Sequence, residues 1–355
     1  MKSRLKTIIG LVLSVLLLGW VLRDVSAAEV ARELREANLL LFVLAIGLTM
    51  AGFVIRAFRW GVLLTPLGLP IPFRPRFAAV MIGFAANNLL PARVGEFARA
   101  LSLSRVTSVP TGAAFATLVV ERILDGLVLV GLLFAAMSTV AFPVVADVGG
   151  VDPRAAARVV AVAMAIVGVC LLLLVLFPTR SVTLTEALAA RLMPLRMRRP
   201  LIAALESFLR GLAVLRSARL FALSVVLALG QWLFTALSFL VAFRAFGIDH
   251  VPFAGAVFLQ SLLSLAVAVP SSPGFFGPFE VAARVGLALW AVAPDKAVSF
   301  AVGFHIGGFI PVTLIGLYYM SSLNLSWREV RESEEVVEET VEHEGASETA
   351  MGQKP

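Results

Sequence analysis

The sequence predicts an all-α polytopic bundle of transmembrane helices with two broken helical hairpins. Three observations lead there. The 355 residues are 59% hydrophobic and only 15% charged, with a mean hydropathy of +0.94; soluble domains run about 45–50% apolar and about 25% charged. Several apolar runs reach the roughly 20 residues that cross a bilayer as a helix. Two regions then break in the same way. One reads Asn87-Asn88-Leu89-Leu90-Pro91-Ala92-Arg93-Val94-Gly95-Glu96-Phe97-Ala98-Arg99. The other reads Pro270-Ser271-Ser272-Pro273-Gly274-Phe275-Phe276-Gly277-Pro278-Phe279-Glu280, with Arg284 beyond. Broken backbone at membrane depth survives only where protein or a water-filled cavity surrounds it, and ionisable residues there are costly and commonly functional.

In chain order, Lys2, Arg4 and Lys6 precede a first span at roughly 5–22. Val25-Ser26-Ala27 is a poor cleavage site, so a retained span is expected rather than a signal peptide. The mixed-charge stretch from Arg23 to Glu36 reads as amphipathic, and a second span covers 38–58. Arg56, Arg59 and Trp60 look like its boundary with the cytoplasm. Residues 77–106 hold the first break and 111–137 form a long span. The loop 138–155 lacks a basic excess, and 156–177 spans again. The segment 178–219 is rich in arginine and reads as a cytoplasmic basic connector. Residues 220–246 span, 253–293 hold the second break, and 297–320 form the last span.

Loop charge sets an expected orientation. With both termini in the cytoplasm and each broken region entering and leaving on one side, the basic loops 59–76 and 178–219 both fall inside. The first hairpin then enters from the cytoplasm and the second from outside. Two full crossings with a short turn preserve the same parity. Span, break and span recur at 38–137 and 220–320, with about 53 residues from span start to break proline in each. Opposite entry faces make this the pattern of an inverted repeat, which many transporters use to build a midplane site. The expected domains are a membrane domain at 1–325 and an acidic, disordered cytoplasmic tail at 326–355.

Charge narrows the partners. After Trp327 the tail has nine Glu against Arg328, Arg331 and Lys354, leaving about +13 on the rest of the +7 chain. That excess alternates with spans, which fits positive-inside loops and argues against nucleic acid. Cys170 is the only cysteine, so no disulfide forms within the chain, and no metal-ligand spacing occurs. No cofactor is implied.

Three clusters are candidates for function. Arg93, Glu96 and Arg99 follow Asn87 and Asn88; Glu96 and Arg99 stand at i, i+3, as a pair on one helix face would. Gly95 frees backbone N–H groups at a helix start, which favours an anion, and Arg93 beside it suits a phosphate. The bland alternative is a loop whose arginines snorkel to headgroups. Glu121, Arg122 and Asp125 form the second cluster. Arg122 pairs with Asp125 at i, i+3, while Glu121 and Asp125 repel unless a cation or proton intervenes. A structural ion pair is the alternative. Pro273, Gly274, Gly277, Glu280 and Arg284 are the third, with a structural bend as the alternative. Pro91, Gly95, Pro273, Gly274 and Gly277 are the expected hinges. His305 is a lone intramembrane histidine, more often packed than a proton relay. Arg93, Arg99, Arg122 and Arg284 against Glu96, Glu121, Asp125 and Glu280 make a nearly neutral set, as in a paired, water-accessible cavity.

These motifs resemble a known family. Asn88, Pro91, Arg93, Gly95, Glu96 and Arg99 resemble the N-x-x-P-x-R-x-G-E-x-x-R signature of the lysylphosphatidylglycerol synthase transmembrane region, found also in UPF0104-type membrane proteins. Glu121, Arg122 and Asp125 resemble its E-R-x-x-D, and Ser272 to Glu280 its S-P-G-x-x-G-x-x-E. The resemblance covers roughly residues 5–320. It implies a domain that flips an aminoacylated phospholipid made by a cytoplasmic transferase domain. Only about 30 residues follow Leu325, so the expectation is a stand-alone flippase-like protein, with a separate cytoplasmic lipid-modifying enzyme left open as a partner.

The function expected is therefore translocation of a phosphate-bearing lipid across the cytoplasmic membrane of a prokaryote. Arg93, Arg99, Arg122, Asn87 and Asn88 would bind the headgroup. Glu96, Glu121, Asp125, Glu280, Arg284 and His305 would trade charge or protons. No enzyme is expected, because His250, His305 and His343 belong to no catalytic or metal-binding arrangement. Alternatives are an ion-coupled carrier of a small anion, an enzyme acting on a lipid phosphate, and a scaffold with an acidic recruiting tail.

Overall fold

The computed structural model describes residues 2–90, 93–143, 178–193, 217–267 and 273–337, and every regular element among them is a helix. Pro91, the loop 138–155 after Pro143, Cys170, the span 156–177, much of the basic connector and the end of the tail lie outside the described residues. Helix α1 (Lys2–Leu22) follows the first apolar run, and α2 (Ala27–Glu36) starts where Ser26 Oγ accepts from the Glu29 amide. Asn38 caps α3 (Leu39–Leu64), which runs beyond the expected boundary into a short 3₁₀ turn at Thr65–Leu67. Then come α4 (Phe73–Leu89), α5 (Gly95–Val106), α6 (Thr111–Met137) and α7 (Pro178–Leu192). Ser217 caps α8 (Ala218–Ala245), which precedes α9 (Phe253–Ala266). A 3₁₀ turn at Pro273–Phe275 leads to α10 (Pro278–Ala288), α11 (Pro294–Ser322) and the short α12 (Trp327–Arg331).

Among the described residues, three segments are long and apolar enough to cross a membrane: Leu39–Leu67, Ala218–Ala245 and Pro294–Ser322. Leu39 and Leu40 project unburied side chains, as a lipid-facing helix requires. Helices α5, α9 and α10 have only 12, 14 and 11 residues. Each is shorter than the roughly 20 residues needed to cross. Both breaks thus interrupt the helices into short arms.

Packing joins the two halves rather than separating them. Helix α3 lies along α8, α4 along α11, and α6 along α9. Within the halves, α5 packs on α4 and α6, and α10 packs on α9 and α11. Exchanging α3–α6 with α8–α11 maps the α3–α8 contact onto itself and each of the others onto another. The largest apolar cluster gathers around Phe243, Phe246, Phe300 and Leu259, and a second surrounds Trp60, Leu63 and Leu103.

Glycine sets the fit at the first break. A Cβ on Gly95 would overlap the Gly83 carbonyl and the Asn87 side chain, so α5 starts with its backbone against α4. The tail corrects an expectation of disorder from residue 326. Ser326 and Glu329 form a capping box, Val330 and Val337 are buried, and Arg105 pairs with Glu329. A spaced pair of valines gives this stretch an apolar face despite its acidic composition.

Candidate functional site

The site begins with two carboxylates on α6. Glu121 and Asp125 stand one turn apart at 0% and 3% exposure. Isolated buried charges of this kind are prohibitive, so each needs partners. Four arginines supply them. Arg56 Nη1 of α3 reaches Glu121 at 2.7 Å and Asp125 at 3.2 Å. Arg59, one turn on, lies 3.3 Å from Glu121 and hydrogen-bonds Asp125. Arg99 of α5 forks onto both Glu121 oxygens at 3.0 and 2.9 Å. Arg122 reaches Glu121 at 2.8 Å and Asp125 at 3.6 Å. Trp232 of α8 donates its indole N–H to Asp125 at 3.0 Å. Cations therefore intervene between the two like charges, as their spacing requires.

Aromatic rings hold the guanidiniums in place. Arg99 lies over Trp60 at 4.0 Å, and the Trp60 N–H donates to Thr117 at 3.0 Å. Arg56 stands over Phe84 and Trp232. Such contacts favour a desolvated cation. Four guanidiniums face two carboxylates, so the network carries +2. This set differs from the nearly neutral one drawn from sequence: it gains Arg56 and Arg59 and leaves out Arg93, Arg284, Glu96 and Glu280.

Beside the network lies a cavity of about 390 Å³ between α5 and α6. Arg93, Glu96 and Arg122 line one part; Phe97, Phe115, Leu118, Val119 and Ile123 line the rest. Phe97 and Phe115 stack at 4.7 Å. Arg122 belongs to both places: it touches Glu121 and keeps 35% of its side chain exposed. The arrangement offers two guanidiniums and one carboxylate to a polar group and an apolar wall to a chain.

The two breaks meet. Arg93 adopts φ 57°, and its guanidinium lies 5.5 Å from the Phe275 ring, where Phe275 itself has φ 61°. At the second break, Gly277 (φ 100°) donates its N–H to Glu280 at 2.7 Å. Glu280 is buried at 1% exposure and meets His305 Nδ1 at 2.7 Å. The other ring nitrogen faces the Gly274 carbonyl at 2.8 Å.

Other expectations are revised by contacts. Arg99 is spent on Glu121 and does not line the cavity. Glu96 instead accepts from Asn87 at 3.4 Å. The Gly95 N–H is not free for an anion: Asn87 Oδ1 accepts it at 2.8 Å. Asn88 ties α4 to α11 through Thr313 at 2.9 Å and does not line the cavity. Arg284 donates to the carbonyls of Trp20 and Val21 and pairs with Asp24 at 3.4 Å. It fastens α1 to α10. Sequence reasoning placed Arg56 and Arg59 at a membrane boundary, yet they are among the most buried side chains. The signal was their i, i+3 spacing, with Gly61-Val62-Leu63-Leu64 extending the apolar helix beyond them.

A helical bundle with long apolar helices, two broken hairpins and a buried, net-positive charge network has the build of an integral membrane protein. The description "Lysylphosphatidylglycerol synthase TM region" matches residues 7–316, and the chain belongs to that family. It is 29% identical over 357 residues to Glycosyltransferase AglD of Haloferax volcanii, covering 94% of this chain and 57% of that protein. The chain thus spans little more than half of that relative. A UPF0104 membrane protein of Methanocaldococcus jannaschii is 33% identical over 122 residues, 34% of this chain and 36% of the relative. One from Methanothermobacter thermautotrophicus is 27% identical over 122 residues, with the same coverage. The expectation that no enzyme is involved is corrected here: the family is named for a synthase, and a relative matched over most of this chain is a glycosyltransferase. The lack of a familiar His, Ser or Cys arrangement was too narrow a ground for that exclusion.

Proposed function

We propose that this domain binds a phosphate-bearing lipid at the cavity between α5 and α6 and carries its headgroup across the membrane. The carrying observation is the meeting of Arg93 and Arg122 at a cavity with apolar walls. Guanidiniums fork onto phosphate oxygens, and Phe97, Phe115 and Ile123 suit an acyl or prenyl chain. Arg122 ties the cavity to a +2 network that also favours an anion. The exchange of contacts between α3–α6 and α8–α11 supports two inverted repeats, at 38–137 and 220–320. Loop charge supports cytoplasmic termini in a prokaryotic inner membrane. The names of the family and of the archaeal relative support a lipid that is the substrate or product of group transfer, on this chain or on a partner.

Lipid retained by gently purified protein, identified by mass spectrometry, tests the binding step. A phosphate-bearing lipid in the wild type, reduced in Arg93→Ala and Arg122→Ala, is expected. Equal retention by both variants contradicts the assigned site. The same names favour a second reading, in which the chain itself takes part in transfer to the lipid. Incubating purified protein with a labelled activated sugar or aminoacyl donor, and following label into lipid, decides between them.

A further inference from the structure

The second break carries a group that lipid binding does not use. His305 is wedged between two acceptors. Its Nε2 faces the Gly274 carbonyl at 2.8 Å, and a carbonyl only accepts, so Nε2 bears a hydrogen. Its Nδ1 faces Glu280 Oε1 at 2.7 Å. A neutral imidazole has one N–H only, so that contact needs another proton. Either the ring is an imidazolium against a carboxylate, or a carboxylic acid donates to Nδ1. Both forms hold one proton more than imidazole with carboxylate.

The surroundings fit an occupied proton site. Phe279 stacks on the imidazole at 4.2 Å and Phe276 lies tilted against it at 4.6 Å, and aromatic faces favour the cationic ring. Glu280 Oε2 already accepts from the Gly277 amide, so Oε1 is the oxygen left for His305. The charged groups around the pair are engaged elsewhere. Arg284 on α10 is held by α1, through Asp24 and two carbonyls. Arg93 reaches across to Phe275. Helix α2, packed on α11, directs Glu33 to Lys296 at 3.6 Å.

We propose that Glu280 and His305 form a proton-binding site that latches the second break and couples proton movement to the lipid cavity. Losing the proton sets two lone pairs against each other at hydrogen-bond distance and leaves a buried carboxylate without its partner. His305 then lets go of Glu280 or of Gly274. Gly274 adjoins Phe275, and Phe275 carries the guanidinium of Arg93, which lines the cavity. The proton and the headgroup thereby bear on one element, the turn Pro273–Phe275. The coupling clause rests on the lipid-carrying function proposed above; the proton site does not.

The test uses the full chain in lipid nanodiscs and proteoliposomes. With ¹⁵N-labelled histidine, the three rings of His250, His305 and His343 are assigned by His305→Gln. A ring bonded to hydrogen at both nitrogens, or a single-N–H ring beside a protonated Glu280 seen by infrared difference against Glu280→Gln, is expected at neutral pH. A single-N–H ring beside an ionised Glu280 overturns the proposal. Hydrogen exchange of residues 273–279, corrected for base catalysis, should rise at a pH step in the wild type and show no step in His305→Gln. Identical profiles overturn the latch. In proteoliposomes, an imposed gradient of one pH unit should shift the leaflet distribution of transported lipid by up to about tenfold per coupled proton. That shift should vanish in Glu280→Gln. Transport blind to the gradient overturns the coupling. No transport in the wild type, with the spectroscopic and exchange results intact, sinks the lipid-carrying function and leaves the proton site standing.

Discussion

The first and second breaks restart a helix by the same device and then part in chemistry. At the first, Asn87 accepts the Gly95 amide from the preceding helix. At the second, Glu280 accepts the Gly277 amide from the following one. A glycine begins each new segment because backbone geometry leaves little room: α4 crowds Gly95, and Gly277 holds a positive φ. Beyond the caps the first break is ringed by guanidiniums and the second by aromatics, one histidine and one carboxylate. One end of the device is thus suited to an anion and the other to a proton, and the contact of Arg93 with Phe275 joins them.

The comparison is broken most severely at the buried network. Glu121→Gln leaves Arg56, Arg59, Arg99 and Arg122 facing one remaining carboxylate. A loss of about 3–5 kcal/mol in unfolding free energy is expected, the usual scale for breaking a buried ion pair. The matched change at the second break is mild. Glu280→Gln keeps an oxygen for Gly277 and offers an N–H to His305, so a loss below about 1 kcal/mol is expected. Denaturant titration in the same detergent measures both, and equal losses would remove the distinction between the breaks.

Backbone changes come next. Gly277→Ala forces a side chain into φ 100° and should cost about 1–3 kcal/mol. Asn87→Ala uncaps Gly95 and should cost about 1 kcal/mol. The same titration reads both.

The smallest effect lies at the tail. Backbone and hydroxyl hydrogen bonds from Ser326, followed by the Arg105 guanidinium, lower the Glu329 carboxyl to about 2. A lowered carboxyl contributes stability above its ordinary value near 4.5 and loses it as pH falls towards 2. Hydrogen exchange of residues 327–337 should therefore rise, relative to unstructured-peptide rates, as pH falls from about 5 to about 2, and Arg105→Ala should flatten that change.

Much of this was legible in residue order. Apolar runs located α3, α6, α8 and α11, and proline, glycine and charge located both breaks. Glu121 and Asp125 announced a need for cations by their one-turn spacing. Their partners were hidden, because an arginine near the end of an apolar run reads the same whether it snorkels to headgroups or turns inward. Only the continuation of α3 through Leu64 and the approach of α6 decide that for Arg56 and Arg59. Arg284 misled for the opposite reason: its use by carbonyls of α1 has no sequence pattern. The pairing of His305 with Glu280 depends on how α10 meets α11, which no local spacing encodes. The tail's composition spoke for disorder, while a cap and two buried valines made its beginning helical.

The central claim is that Arg93 and Arg122 hold a lipid phosphate on its way across the membrane. The direct measurement is headgroup accessibility in proteoliposomes bearing the retained lipid, with Arg284→Ala as a charge-matched control outside the cavity lining. Each charge-assisted hydrogen bond is worth about 1.5–3 kcal/mol, so Arg93→Ala and Arg122→Ala should each slow translocation by about tenfold to a hundredfold. Arg284→Ala should flip lipid at nearly the wild-type rate. Unchanged translocation in both cavity variants would contradict the account.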